Sequence, residues 1–413
     1  MLTPVTVGTK SLADYHSIIS RDLMDEIRTL AEPLRGVRVC HINATSFGGG
    51  VAEILHSLVP LMNDVGLRAD WMVMFGTDEF FGVTKAMHNG LQGDARGISE
   101  DECEVFYHYN VLNAGGLSGD YDVMIIHDPQ PAGIRGATPR LNGAKWVWRC
   151  HIDMSTPNQQ VMDFLRPMID RHDLTVFHRG EYVPAGEIPE PVIMPPSIDP
   201  LVPKNMALLP EDAARIVESF GVDPQRPLIL QVSRFDPWKD PLGVIDAYRL
   251  VKRTRPDAQL ALVGSMASDD PEGMEFHQRT VAHAGGDPDV HILSNLDHVN
   301  AVEVNAFQTH ADVVLQKSLK EGFGLTVTES LWKAKPTIAG NVGGIPLQIA
   351  DGRTGWLVNS PEECADRILR VLSNPEEAHT MAREGKRFVR HEFLTPRELR
   401  DWLGIMTRLL TPA

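Results

Sequence analysis

Two carboxylates, Glu321 and Glu329, stand with seven residues between them and bracket the turn Gly322-Phe323-Gly324. That turn runs straight into a helix-like pattern, Leu325-Thr326-Val327-Thr328. A helix N-terminus exposes unpaired backbone N–H groups and carries positive partial charge, so it suits a phosphate. A carboxylate ahead of that terminus and another two turns inside it can grip hydroxyls on either side of the phosphate. Sugar on one side and ribose on the other describe a nucleotide sugar. A random pair of glutamates would be helix-end carboxylates of no consequence; the glycines between these two, and the Leu331-Trp332 face after them, favour the functional reading.

Upstream, Arg234 and Lys239 are five apart in the loop Ser233-Arg234-Phe235-Asp236-Pro237-Trp238-Lys239-Asp240. Arginine offers a planar fork and lysine a point charge, and both suit a diphosphate. An isolated pair of loop cations is usually just solvated, but these follow a strand and precede the acidic motif. Gly48-Gly49-Gly50 opens another helix after another strand, where glycine lets backbone N–H groups approach a phosphate or sugar closely. A plain tight turn is the competing reading. The spacing is not G-x-G-x-x-G, so a nicotinamide fingerprint is absent. Gly343-Gly344-Ile345-Pro346 reads as a further strand-to-helix turn.

His127-Asp128-Pro129-Gln130-Pro131 and Arg149-Cys150-His151-Ile152-Asp153 each sit at a strand end and could line the acceptor side. A lone histidine is more often structural than catalytic; two such strand ends are less easily dismissed. No H-E-x-x-H and no ligand-spaced His/Asp cluster suggests a metal site, so none is expected.

The elements that must position these residues follow a β/α rhythm. One amphipathic helix is expected over 12–33, ending at Pro33. Strand-like runs follow at 37–43, 71–75, 123–127, 145–151, 174–177 and 192–194. A linker reads from Pro195 to Pro210, and the rhythm restarts at 228–232, 260–263, 290–293, 313–315, 337–339 and 356–358, with closing helices at 376–391 and 396–410. Strands alternating with helices mean βαβ units and a mainly parallel sheet. The expectation is an α/β protein with two Rossmann-like domains facing across a cleft, residues 1–197 and 198–390, followed by a C-terminal helix over 391–413. Ligands of open α/β sheets sit beyond the carboxyl ends of the strands, where the motifs fall.

A chain of 413 residues predicts two to three domains at about 150 residues each. A net charge of −16 argues against a broad nucleic-acid surface, which needs a basic stripe. Cys40, Cys103, Cys150 and Cys364 form no C-x-x-C pair, and reduced thiols in a cytoplasmic protein are expected. No signal peptide and no apolar run of about 18 residues is seen, so no membrane partner is expected. A homodimer is the default assembly.

Together these residues resemble retaining glycosyltransferases of the GT-B fold, family 4. Glu321 to Glu329 with Arg234 and Lys239 is similar to that family's donor signature. Gly36-Val37-Arg38-Val39-Cys40-His41-Ile42-Asn43-Ala44-Thr45-Ser46-Phe47-Gly48-Gly49-Gly50, with the two first-domain histidine motifs, resembles the trehalose synthases, which join a nucleotide-activated glucose to free glucose. The resemblance runs from about residue 15 to the C-terminus and implies roles. Arg234 and Lys239 neutralise the diphosphate. Backbone N–H groups of Gly324, Leu325 and Thr326, in the turn with Gly322 and Phe323, cap it. Glu321 holds sugar hydroxyls, Glu329 the ribose, and Gly49 and Gly50 approach the donor. His151 lies near the transferred glucose, with His127, Asp128, Gln130 and Asp153 on the acceptor side. Retention follows from same-face attack, with no cofactor and no metal, and the C-terminal helix packs back on the first domain.

Three rivals stay open. The acceptor could be a sugar phosphate, glycerate or polyol, for which Arg149 is the cation those motifs offer. A non-catalytic nucleotide-sugar sensor would bind without turnover. A dinucleotide oxidoreductase lacks its glycine fingerprint.

Overall fold

The computed structural model describes residues 1–138, 141, 143–264 and 271–411. The chain folds as two compact units, Met1–Ser197 with Thr395–Ala413, and Ile198–Leu394.

The first unit contains β1 (Thr3–Pro4), β2 (Arg38–Asn43), β3 (Arg68–Val73), β4 (Val123–His127), β5 (Lys145–Arg149), β6 (Leu174–Phe177) and β7 (Pro191–Ile193). Among the described residues they form a seven-stranded sheet in the order β1-β3-β2-β4-β5-β6-β7. All pairings are parallel except β1 against β3. β4 and β6 are buried along their whole length, as strands covered on both faces must be, which is why they read as continuous apolar runs. β1, two residues long and containing Pro4, carries no such signal and was not expected.

The helix expected over 12–33 is broken. A 3-10 turn spans Leu12–Tyr15, and a separate helix runs Arg21–Ala31. Ser20 starts that helix by accepting a hydrogen bond from Leu23 N at 3.2 Å. A serine with extended backbone caps a helix better than it continues one.

The second unit contains β8 (Leu228–Val232), β9 (Gln259–Gly264), β10 (Val290–Ser294), β11 (Val313–Gln316), β12 (Thr337–Gly340) and β13 (Trp356–Val358). Their order is β10-β9-β8-β11-β12-β13, parallel throughout. Successive residues feed opposite faces. Ile229, Leu260, Leu262, Val313 and Leu315 join one core with the helices Pro241–Lys252 and Pro361–Ser373. Leu228, Leu230, Ala261, Val263 and Val314 join the other with Pro210–Ser219 and Ala301–His310.

In each unit the strand order reverses once, between β2 and β4 in the first and between β8 and β11 in the second. In open α/β sheets the loops leaving the carboxyl ends of the strands diverge at such a reversal, and ligands bind there.

The connection expected as a linker is enclosed at its start: Ser197, Ile198 and Asp199 are buried. Ser197 Oγ donates to Glu398 Oε2 at 2.6 Å, and Arg397 donates to the carbonyls of Pro195 and Pro196 at 2.9 and 3.1 Å. Glu398 and Arg397 belong to the helix Thr395–Leu410, which packs on Arg21–Ala31 and Gly50–Asp64. Residues 391–394 stay with the second unit, where Phe393 O accepts from Ile198 N at 2.9 Å. No helix among the described residues is long and apolar enough to cross a membrane.

Candidate active site

At the reversal in the second unit, the loop after β8 and the loop after β11 are tied together. Asp236 accepts from Trp238 N and Lys239 N at 2.9 and 3.1 Å and so starts a 3-10 turn over Pro237–Lys239. Asp240, at φ 49°, ends that turn and caps the next helix through Gly243 N. This double cap aims Lys239, whose Nζ lies 2.6 Å from Glu321 Oε2. The same oxygen accepts from Ser318 Oγ at 3.1 Å and Gln316 Nε2 at 3.3 Å. Lys317, nearly buried, pairs with Asp240, and Leu319 N donates to Trp238 O at 2.7 Å. Arg234 is more than half exposed and pairs with Asp236 at 3.2 Å.

Gly324 begins the helix Leu325–Trp332 at φ 86°, with no side chain capping it. Its first N–H groups can therefore take an anion. A Cβ on Gly324 would lie 3.1 Å from Glu321 Cγ, and one on Gly344 would lie 2.6 Å from Gly322 O. The glycines let these turns close on one another. An ammonium, a guanidinium and an uncapped helix start gathered at one strand reversal have the charge to hold a diphosphate.

Glu329 is fully buried, just over one turn into that helix. Lys204 Nζ lies 2.7 Å from its Oε1, and Gln308 Nε2 donates to Oε2 at 3.1 Å. Lys333 is close by and donates to Asn205 Oδ1 at 3.1 Å; burial pushes its amine down to about 8, partly offset by Glu329.

In the first unit, Gly48 takes φ 76° and Gly49 leads into the helix Gly50–Asp64, again without a side-chain cap. A Cβ at Gly49 would meet nothing within 4 Å, so space rather than crowding surrounds this turn.

Asp128 closes β4 at φ 65°, and its Oδ1 accepts from the main-chain N–H of His151 at 2.7 Å. The residue keeps some exposure, but its carboxyl is surrounded by protein, which pushes it up to about 7 against the pull of that N–H and of Arg149. His151 is half-buried. Its ring reaches His127 on one side, Nε2 to Nδ1 3.0 Å, and His178 on the other, Nδ1 to Nε2 3.3 Å. His127 in turn meets His41, Nε2 to Nδ1 3.0 Å. Asp153 Oδ1 accepts from Ser155 N and Oγ at 3.0 and 2.6 Å, and Gln130 O accepts from Asn110 at 3.1 Å. Arg149 is fully buried beside His127.

Arg234, Lys239, Glu321 and the Gly322–Thr326 turn thus come together in one unit, and Asp128 with His151 in the other. Two placements differ from expectation. His127 is buried, so it stands behind the partly exposed His151. Glu329 faces Lys204, a residue of the connection expected as a linker. Gln231, Gln316, Lys317, His41 and His178 were also missed. For the histidines the available signal was that β2 carries one within the strand, β4 one at its carboxyl end, and β5 and β6 one just past theirs. Among the described residues no group of three or more His, Cys, Asp or Glu is disposed to hold a metal ion.

Comparison with known proteins gives the context for this geometry. The family described as "Trehalose synthase, N-terminal domain" matches residues 41–184, and "Glycosyl transferases group 1" matches 212–388. The trehalose synthase of Rubrobacter xylanophilus is 55% identical over 99% of this chain and 100% of its own. That of Pyrococcus horikoshii is 46% identical over 97% of each. Among solved structures, an α,α-trehalose-phosphate synthase (UDP-forming) from Burkholderia xenovorans superposes with a TM-score of 0.73 at 16% identity, covering 91% of this chain and 100% of that one. At that identity the likeness speaks for the fold.

Proposed function

We infer the reaction from one premise: the chain belongs to the trehalose synthase family of group 1 glycosyl transferases. It joins the glucose of a nucleoside diphosphate glucose to free glucose, giving α,α-trehalose. The observation that carries the donor chemistry is the Lys239–Glu321 pair set against the uncapped start of Leu325–Trp332.

We propose that Arg234, Lys239 and the N–H groups of Gly324 to Thr326 take the charge that develops on the diphosphate as its bond to glucose breaks. Donors fixed where charge appears are worth most in a site shielded from water. Glu321 holds glucose hydroxyls and Glu329 the ribose, with Gly49 and Gly50 approaching the donor. His151, Asp128, Gln130 and Asp153 serve the sugars. The acceptor hydroxyl attacks C1 from the face the phosphate leaves, so configuration is retained. The new C–O bond forms as the C1–phosphate bond breaks, and the hydroxyl proton passes to the departing phosphate oxygen. Charge is handled by side chains and a helix start, so no divalent ion is required: EDTA leaves the rate unchanged, and loss restored by a divalent ion overturns this.

A phosphorylated acceptor is disfavoured by one observation. Arg149, the cation those motifs offer, is fully buried and cannot meet a phosphate. A cytoplasmic place belongs to the same proposal, supported by four unpaired thiols, as does a homodimer as the commonest symmetric assembly.

The test is NMR of the product after incubation with ADP-, UDP- or GDP-glucose, with and without glucose. A 1,1-linked α,α disaccharide supports the reading. Nucleotide release without it moves the acceptor elsewhere, and no binding or release removes the transferase reading.

A further inference from the structure

Four imidazoles cross the first sheet in one line. His41 lies in β2, His127 ends β4, and His151 and His178 follow β5 and β6. These strands are neighbours in the sheet. Every link joins Nδ1 of one ring to Nε2 of the next: His41 to His127 at 3.0 Å, His127 to His151 at 3.0 Å, His151 to His178 at 3.3 Å. Three of the rings are buried, and His151 alone of the four is partly exposed.

We propose that His41, His127 and His178 are positioning residues for His151, forming with it a head-to-tail chain in which every ring donates from Nε2, so that the tautomer and plane of the one ring reaching the surface are fixed from within. The reading deepens the role given to His151 above and rests on it.

The number of ring hydrogens restricts the chain to few states. A neutral imidazole has one N–H and one acceptor nitrogen. In a chain whose links all run Nδ1 to Nε2, neutral rings have two consistent states, all Nδ1–H or all Nε2–H. Any mixture leaves a link with two hydrogens or none, which is costly when buried. The end of the chain chooses between them. His41 Nε2 lies 3.5 Å from Met62 Sδ, and a thioether accepts but does not donate. His41 therefore carries its proton on Nε2, its Nδ1 must accept, and the choice passes ring by ring to His178.

The surroundings support neutral rings. Burial pushes His41 down to about 3, and burial with the neighbouring Arg149 charge holds His127 and His151 well below the ordinary imidazole value. His151 is held at a third point, its main-chain N–H on Asp128 Oδ1. Which nitrogen bears the proton is set by what the other nitrogen meets, and here that control runs from Met62 to the site.

The test begins with the wild-type protein and no substrate. Long-range 1H–15N spectra of histidine-labelled protein should show His41, His127 and His151 as neutral Nε2–H tautomers from about pH 5 to 8. An Nδ1–H tautomer, or titration of His127 or His151 in that range, overturns the proposal. Two variants then read function. His127→Leu removes the acceptor for His151 Nε2–H and should lower kcat about 10- to 100-fold while glucose KM changes little. His127→Asn keeps an acceptor oxygen near the Nδ1 position and should recover most of that loss. A folded His127→Leu protein with unchanged kcat and His151 tautomer sinks the idea. A protein that shows the chain yet makes no disaccharide refutes the reaction and leaves the chain standing.

Discussion

Lys239 Nζ lies 2.6 Å from Glu321 Oε2, so the loop after β8 is joined to the loop after β11 by an ion pair spanning 82 positions of sequence. The two residues hold each other in place before any ligand arrives. A site preassembled in this way loses rate when either partner is cut, and it loses it through geometry as well as charge.

Lys239→Ala should therefore lower the rate of trehalose formation by about 10²- to 10³-fold, the size of losing one charge-stabilising donor. Arg234→Ala should lose a comparable amount at about 1 kcal/mol in stability, because Arg234 is largely exposed while its partner Asp236 is buried. Near-normal transfer in both variants removes them from the donor site.

The Lys204–Glu329 pair behaves differently because it is buried. Lys204→Met leaves the Glu329 carboxylate without its ion-pair partner and should cost about 3 kcal/mol or more in denaturant unfolding. Adding Glu329→Gln to that variant should return part of the loss, since the charge is then gone. A Lys204→Met protein as stable as the parent shows that Lys333 or Gln308 suffices, contrary to this account.

Asp128 makes a pH signature. Its carboxyl is raised from 3.8 to about 7, so between those values the folded protein binds the extra proton and stability falls as pH rises. Asp128→Asn keeps an oxygen for His151 N–H and tolerates the left-handed backbone. It should flatten that part of the melting-temperature profile. An unchanged slope assigns the pH dependence to another group.

Gly344→Ala places a methyl 2.6 Å from Gly322 O and 2.8 Å from Phe323 Cα, both backbone atoms. The Gly322–Gly324 turn has to shift, so we expect at least about 10-fold loss of transfer with about 1–3 kcal/mol of destabilisation. Wild-type activity in this variant means the turn is free to move and does not set the donor geometry.

Much of this was legible in the sequence. The strands of both sheets announce themselves because a parallel strand covered on both faces is a continuous apolar run, as Val123–His127 and Leu228–Val232 are. Arg234, Lys239 and Glu321 were legible because each sits in a loop directly after such a run. What stayed hidden depends on strand order. His41, His127, His151 and His178 are far apart in the chain, and only the order β2-β4-β5-β6 lines them up. Lys204 was hidden for a similar reason, since nothing local says that a residue in a Pro-rich connection meets a glutamate in the helix Leu325–Trp332. The break at Ser20 was a local signal outweighed by the apolar period on either side of it.

The helix Thr395–Leu410 has one more consequence. It supplies Trp402, which packs edge-on against His41, and Glu398, which holds Ser197, so the first unit is discontinuous in the chain. During synthesis the helices Arg21–Ala31 and Gly50–Asp64 emerge without the helix that packs on them, and stay so while the whole of the second unit is made. The nascent first unit must wait, with apolar surface open to the solvent or to a chaperone, for a segment translated nearly two hundred codons later. The second unit, contiguous from Ile198 to Leu394, has no such wait and can fold first, reversing the usual N-terminal-first order of birth.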